Sequence, residues 1–465
     1  MNGDNQTTNK AGSLSREERR GFIEQCNPRL ILPSHDPRYV DLDSPMDGQP
    51  GARGTPHCTE KLFQTIAVAD RFRPTCQLFT GFPGVGKTTE LRRLQDRLEN
   101  DSEIKAKVIH VAFSDYHNIY EPISVADLLR VLAHVLDMEA AEVGATRAVT
   151  YAQQLWELLR GAEPDLPPFP SDVAASAPSA TARTSPWMTI YRDDPYVREL
   201  AAEAIRKRFQ PFAQAAQNAI GTALGELQRK YPRVVVLVDD LEKLSPLNEQ
   251  EVERMEKSVE ITFVQNSSWL FLPCDVVYTF PIWLRFRAKL EEHYNRKPLV
   301  LPTVRAVDKH RAPDRVGVQK LIDIVERRVD VERVFGGRDS PELEKLVLAS
   351  GGYMGDLLTL LREVIYELPE NKPIEANTVS QVIRDKEYSY RLMVNDREAK
   401  VLAEVDSTQE IPTDETDRIT FSRLVENRAI LSYRNGDEWF DLHPLVRNAP
   451  VVRKAIEHIN REKAP

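Results

Sequence analysis

Cysteine is scarce in this chain: four in 465 residues, at Cys26, Cys58, Cys76 and Cys274, with no C-x-x-C pair. That scatter excludes a disulfide framework or a zinc module and leaves buried or free thiols as the expectation. His57-Cys58 is too isolated to suggest zinc. No run of 18 apolar residues occurs, so neither a membrane-spanning helix nor a membrane partner is expected. Met1 to Arg20 is polar and lacks an apolar signal core, which points to a cytoplasmic protein. Positive charge is not in excess: 62 Lys plus Arg face 71 Asp plus Glu, a net of −9, giving no general attraction for nucleic acid. Internal repeats are missing, and so is the guanine-reading N-K-x-D sequence. The remaining composition, 41% hydrophobic and 29% charged, is that of a soluble globular chain long enough for two or three domains.

What is present is led by Gly81-Phe82-Pro83-Gly84-Val85-Gly86-Lys87-Thr88, a complete G-x-x-x-x-G-K-T phosphate-binding loop. A short strand is predicted before it, Thr75 to Thr80. A helix is predicted after it, with Leu91, Leu94 and Leu98 on one face. Glycines let the backbone curl so that successive N–H groups point at one anion. Gly81, Pro83, Gly84, Val85, Gly86 and Thr89 are the expected backbone contacts. Lys87 is expected on the β- and γ-phosphates, and Thr88 on Mg²⁺. The predicted cofactors are therefore ATP and Mg²⁺.

Further strands are predicted at Lys107–Phe113, Arg233–Asp240, Cys274–Phe280 and Leu299–Leu301, alternating with helical periodicity at 124–137, 148–160 and 196–229. This alternation predicts an α/β fold with a doubly wound parallel sheet. Residues 1–20 read as a disordered leader, 21–302 as the nucleotide domain, and 161–190 as a flexible Pro/Ala/Ser/Thr-rich insertion. After Pro302 the strand signals stop; 303–392 reads as a small helical domain. Residues 393–465 end in a helix and two β-rich runs around Asn435-Gly436, a type I′ hairpin signal, as a winged helix ends.

Asp239 closes an apolar strand and is expected to hold Mg²⁺ opposite Thr88, at the carboxyl edge where ligands gather in such sheets. The attacking water needs a group to orient it. Asp240 is the first candidate and Glu242 the second, the plain alternative being a solvated strand-end acid. Thr279 is a candidate contact for the γ-phosphate or that water, or simply a polar residue exposed by strand alternation. Arg285 and Arg287 are candidate transition-state cations, or residues of a solvated basic helix.

Together these features resemble AAA+-type P-loop ATPases, in particular the signal-transduction (STAND) and origin-initiator branches, where a helical lid and a winged helix follow the nucleotide domain. Val236-Leu237-Val238-Asp239-Asp240-Leu241-Glu242-Lys243 is similar to the D-D-L-D-[KR] form of STAND-like and KAP-type ATPases, with Glu242 where those often have Asp. Ser350-Gly351-Gly352-Tyr353-Met354-Gly355-Asp356-Leu357-Leu358 resembles the start of the family's lid helix. Gly355 takes a position where many members have a phosphate-sensing Arg, and Arg362 is the substitute the helix offers. The resemblance covers roughly residues 30–460. It implies that Tyr39 and Val40 touch the adenine, while the departure at Gly355 favours a slow switch.

From Thr378 to Pro465, fourteen Lys plus Arg face sixteen Asp plus Glu, a poor balance for a duplex-binding winged helix, although Arg423, Arg428 and Arg434 lie close in sequence. Arg305 to Lys320, with Lys309, Arg311 and Arg315, is the most basic stretch: an interdomain linker or a nucleic-acid patch. The resulting expectation is an ATP-hydrolysing switch that controls assembly or a separate effector or adaptor protein. A homo-oligomer is expected, and bacterial antiviral defence is the setting implied by analogy. The alternatives are a DNA-binding initiator-like or transposition-regulator ATPase, and a non-hydrolysing ATP-bound scaffold.

Overall fold

The computed structural model describes residues 14–144, 150–169, 186–369 and 372–463. Five strands, β1 (Cys76–Gly81), β2 (Ala106–Ala112), β3 (Arg233–Asp239), β4 (Asp275–Thr279) and β5 (Leu299–Leu301), form one sheet in the order β2-β3-β4-β1-β5. The pairs β2–β3, β3–β4 and β4–β1 are all parallel. Val234 to Val238, four valines and a leucine, are all buried, as apolar residues covered on both sheet faces must be. The register carries function: Leu78 and Val238 both pair with Tyr278, so the next rank holds Phe79, Thr279, Asp239 and Ala112. Asp239 and Thr279 thus stand at the carboxyl ends of their strands, level with a residue two before Gly81. The doubly wound α/β sheet expected from the sequence is present.

The chain folds as two units interleaved in sequence, one of Cys58–Thr80 with Glu90–Val300 and the other of Met1–His57, Gly81–Thr89 and Leu301–Pro465. The first holds the sheet. Its core is built on the helix Val125–Glu142, which starts at a capping box of Ser124 and Asp127 and packs along the helix Phe209–Lys230. The 196–229 stretch, readable as one long helix or as a helix pair, is a pair, Pro195–Lys207 and Phe209–Lys230. Pro211 explains the break: it has no N–H to give, which is tolerated only in the first turn of a new helix. The insertion at 161–190 falls mostly outside the described residues, and the chain resumes with the helix Pro186–Asp193.

In the second unit, the stretch read as a disordered leader contains the first half of a helix, Arg16–Gln25, started by a Ser15–Glu18 capping box. Arg19 donates to the Leu368 and Pro369 carbonyls at 2.7 and 3.0 Å, which ties this helix to the helical region. Residues 1–13 lie outside the described part. The helices Arg315–Glu326, Pro341–Ala349, Met354–Tyr366 and Ala376–Arg391 form that region. Helices Asp396–Thr408 and Glu415–Glu426 then lead into the hairpin of β6 (Ile430–Asn435) and β7 (Asp437–Leu442), the order of a winged helix. The hairpin turns where expected, but not as type I′, which needs two residues with positive φ. Only Gly436 (φ 81) has it, and Asn435 stays in the strand.

All four cysteines are buried and none is in a disulfide, and burial pushes the Cys26 thiol up to about 12. Among the described residues no helix is long and apolar enough to cross a membrane.

Two glycines test the packing in opposite senses. A Cβ at Gly221, inside the helix Phe209–Lys230, would meet nothing within 4 Å, so Gly221→Ala should stabilise its unit by about 0.5–1 kcal/mol. A Cβ at Gly317 would lie 1.6 Å from the Arg305 carbonyl oxygen, so Gly317→Ala should cost about 3 kcal/mol. Denaturant midpoints should move in opposite directions; shifts of the same sign would contradict this packing.

Candidate nucleotide site

The loop leaves β1 at Gly81 and enters the helix Lys87–Asn100. Gly84 (φ 78) and Gly86 (φ 103) take left-handed conformations that residues with a Cβ avoid. Close approach adds a second reason for glycine: a Cβ at Gly81 would sit 2.8 Å from the Leu301 carbonyl oxygen, and one at Gly84 2.9 Å from the Tyr353 phenol oxygen. Lys87 is buried, its Nζ donating to the Gly81 and Phe82 carbonyls at 3.0 Å each. A buried ammonium within a curl of glycine backbone, at the start of a fourteen-residue helix, suits a phosphate chain. Thr88 lies half-buried in the helix's first turn. Among the described residues no group of three or more His, Cys, Asp or Glu is placed to hold a metal by itself. Mg²⁺ bound with phosphates needs only one or two protein ligands, so the donor set fits it.

Two side chains that the sequence reading did not single out hold this loop. Tyr353, just before the lid helix Met354–Tyr366, donates its phenol to the Pro83 carbonyl at 2.5 Å. Arg53, almost fully buried, donates from Nη2 to the Val85 carbonyl at 3.2 Å. Tyr353 sat within the quoted Gly-Gly-Tyr-Met-Gly motif, so a signal existed there. Arg53, in Gly51-Ala52-Arg53-Gly54, had only its flanking glycines to mark it. Gly355 leaves room for this Tyr: a Cβ there would be 2.6 Å from the phenol oxygen. Arg362, the substitute sensor considered from sequence, lies instead with Arg328 close enough to the Cys26 thiol to act on it electrostatically. Val40 is buried and Tyr39 half-buried, both in the unit that contains the loop.

In the sheet unit, the end of β3 is a cluster of buried polar groups. Asp239 is fully buried, its Oδ2 3.6 Å from His110 Nε2 and its Oδ1 accepting the Asp240 amide at 2.9 Å. Asp240 turns the chain with a left-handed φ of 73, a costly conformation that Asp tolerates better than most residues. Its carboxylate accepts from Ser114 Oγ and pairs with Lys243 Nζ, both at 2.6 Å. Ser114 also lines an open cleft of about 530 Å³ with His117, Tyr120 and Arg192. Glu242 is buried in the same turn. Thr279 has a structural task, its Oγ1 accepting the Leu241 amide at 3.3 Å and fastening the turn to β4.

The candidate cations are engaged elsewhere. Arg287 makes a two-pronged ion pair with Glu256 at 2.8 and 3.0 Å, so it is no solvated surface residue. Arg285 lies half-buried against Phe286, its guanidinium carbon 4.9 Å from the ring centre. Three arginines of the basic 305–320 stretch are paired with acids: Arg305 with Asp314 (3.2 Å), Arg311 with Asp441 and Asp406 (3.1 Å each), and Arg315, at the surface, with Asp47 (3.5 Å). The two lysines of the stretch are engaged with neutral groups, Lys309 over the Trp439 ring and Lys320 Nζ with Ser44 Oγ at 3.0 Å.

A parallel sheet whose strand β1 runs into a G-x-x-x-x-G-K-T loop and then a helix defines a P-loop NTPase. No family model and no curated protein matches the chain. Among solved structures it is similar to a Walker-type ATPase of Pyrococcus abyssi, with a TM-score of 0.36 and 12% identity over 90% of this chain and 99% of that one. It is also similar to the ORC2 protein of Aeropyrum pernix in ADPNP–ADP complexes (TM-score 0.38, 12% identity, 87% and 94% covered). A third is the Drosophila ORC bound to DNA (0.34, 14%, 98% and 95%).

Asp356, in the first turn of the lid helix, accepts from Tyr390 Oη at 2.7 Å and lies 3.1 Å from Lys386 Nζ and 3.3 Å from His443 Nε2. Burial alone would raise its pKa; hydrogen bonding and charge from His443, Lys386 and Tyr390 outweigh that and hold it at about 2. A depressed carboxylate stabilises the fold above its unfolded pKa. Its contribution, on the order of 2 kcal/mol, is lost as pH falls from about 4 towards 2. Unfolding midpoints measured across that window should fall more steeply for the native chain than for Asp356→Asn; parallel curves would refute the assignment.

Proposed function

We propose that the chain is an ATP-dependent molecular switch of the STAND/AAA+ kind. ATP with Mg²⁺ binds the 81–88 loop and biases the helical lid and winged helix between two arrangements, and slow hydrolysis resets them. The observation that carries this reading is the bond from Tyr353 to Pro83: the lid grips the phosphate loop itself. A ligand shifts a conformational equilibrium only through its different affinity for the two states, and a lid in contact with the loop provides that difference.

In this reading Lys87 binds the β- and γ-phosphates. Thr88 and Asp239 hold Mg²⁺, which supplies charge neutralisation when bound. The Asp239 assignment is supported by its place in the same sheet rank as Phe79, two residues before the loop. Asp240 orients the attacking water: Ser114 and Lys243 hold its carboxylate in place, and Thr279 fixes the turn that carries it. Glu242 is the second acceptor of that turn. The switched output is self-assembly or a separate partner protein, and a bacterial defence setting enters by analogy with the resembled families.

Calorimetry with ATP–Mg²⁺ should show binding to the native chain and to Asp240→Ala but none to Lys87→Ala. Asp240→Ala should also turn over ATP about 10²- to 10⁴-fold more slowly. Size measurement and pull-down with and without ATP should show a nucleotide-dependent oligomer or partner that Asp240→Ala traps. Equal binding by the native chain and Lys87→Ala would end the proposal.

A further inference from the structure

Resting on that nucleotide reading, we propose that Tyr353 and Arg53 are positioning residues that preorganise the phosphate loop, and that both are set by the C-terminal hairpin. In a trans peptide the carbonyl of one residue and the N–H of the next point in opposite directions. A donor gripping the Pro83 carbonyl therefore aims the Gly84 N–H away from that donor, and a donor on the Val85 carbonyl does the same for the Gly86 N–H. Those are amides of the kind a phosphate loop offers to its anion. Glycine makes the loop able to curl but leaves it free to uncurl, at an entropic cost when the anion binds. Two side-chain struts on alternate carbonyls reduce that cost before the ligand arrives.

Both struts are anchored to the hairpin. Arg428, left-handed (φ 63) in the turn before β6, places its guanidinium carbon 5.8 Å from the Tyr353 ring centre. A guanidinium against the ring helps hold the Tyr353 side chain where its phenol donates to Pro83. Tyr433 of β6 donates to the Gly351 carbonyl at 2.6 Å, two residues before Tyr353. Arg53 rides on a turn with no slack. A Cβ at Gly51 would lie 2.3 Å from the Asp43 carbonyl oxygen, and one at Gly54 1.9 Å from that of Arg434 in β6. Gly436, at the hairpin tip, donates its amide to the Thr55 carbonyl at 3.1 Å, and Arg305 donates its own to Ala52 at 2.9 Å. Movement of the hairpin would therefore reach both struts, which makes the phosphate loop the point where the winged helix reads or sets nucleotide occupancy.

The test combines calorimetry with ATP–Mg²⁺ and hydrogen exchange of the nucleotide-free protein, on Tyr353→Phe, Arg53→Met, Arg53→Lys, Arg428→Met and Lys87→Ala. Tyr353→Phe and Arg53→Met should each weaken binding about three- to tenfold, the equivalent of one hydrogen bond. Arg428→Met should reproduce the effect of Tyr353→Phe, and Arg53→Lys should recover most of the loss. Exchange at the Gly84 and Gly86 amides should quicken while the global unfolding midpoint stays put. Native affinity and native exchange in Tyr353→Phe and Arg53→Met, with Lys87→Ala failing to bind, would overturn the struts and leave the nucleotide site standing. A loss of affinity matched by a lower global midpoint would overturn them too, as merely structural. ATP binding by Lys87→Ala would remove the nucleotide reading and this inference with it.

Discussion

A backbone that must present several N–H groups to one anion has to dispose of the carbonyls on the other side of the same peptides. Here those carbonyls are taken up one by one: Gly81 and Phe82 by Lys87, Pro83 by Tyr353 and Val85 by Arg53. Buried carbonyls left without donors would cost free energy comparable to lost hydrogen bonds, so the loop's shape and its neighbours are one problem. The solution recruits residues from far apart in sequence. It explains why residues 81–89 group with the N-terminal segment and the C-terminal half instead of with the strand that precedes them.

The same accounting governs the end of β3. Two adjacent carboxylates at the tip of an apolar strand are tolerable only if each finds partners. Asp239 has His110 and the following amide, and Asp240 has Ser114 and Lys243. The left-handed turn at Asp240 is held by Thr279 from the neighbouring strand, so strain and satisfaction occur at one place. Buried charge concentrated at a strand end is what a site for phosphate and a divalent cation needs. In the other unit, Asp356 collects Tyr390, Lys386 and His443, and Asp441 collects Arg311 and Arg447. These two acids tie the lid and the winged helix together from inside. Cations spent in this way are not available to a duplex.

Much of this was readable from residues alone, because the signals were local. The glycines and Lys87 specify the loop, and Val234 to Val238 specify a strand covered on both faces. Pro211 marked the division between Lys207 and Phe209, had its place in a first turn been weighed. Ser15 with Glu18 three residues on is a capping box inside the stretch read as leader. Other roles had no local signal. Thr279 is polar at a strand end whether it meets a phosphate or an amide, and Arg287 is basic whether it faces solvent or Glu256. Tyr353 was passed over for Gly355 because the motif directs attention to a missing Arg, not to the residue filling the space.

By itself the amino-acid order determined that a phosphate loop exists, that it joins a strand to a helix, and that two acids close a later strand. Each of these depends on backbone permissiveness or side-chain periodicity within a dozen residues. Only the tertiary structure decided which groups restrain the loop, which cations are already neutralised, and which segments fold together. Those outcomes depend on hydrogen bonds and ion pairs between residues up to 350 positions apart, as Arg19 and Pro369 are. No short-range pattern carries such information, because the partner that satisfies a buried polar group is chosen by packing.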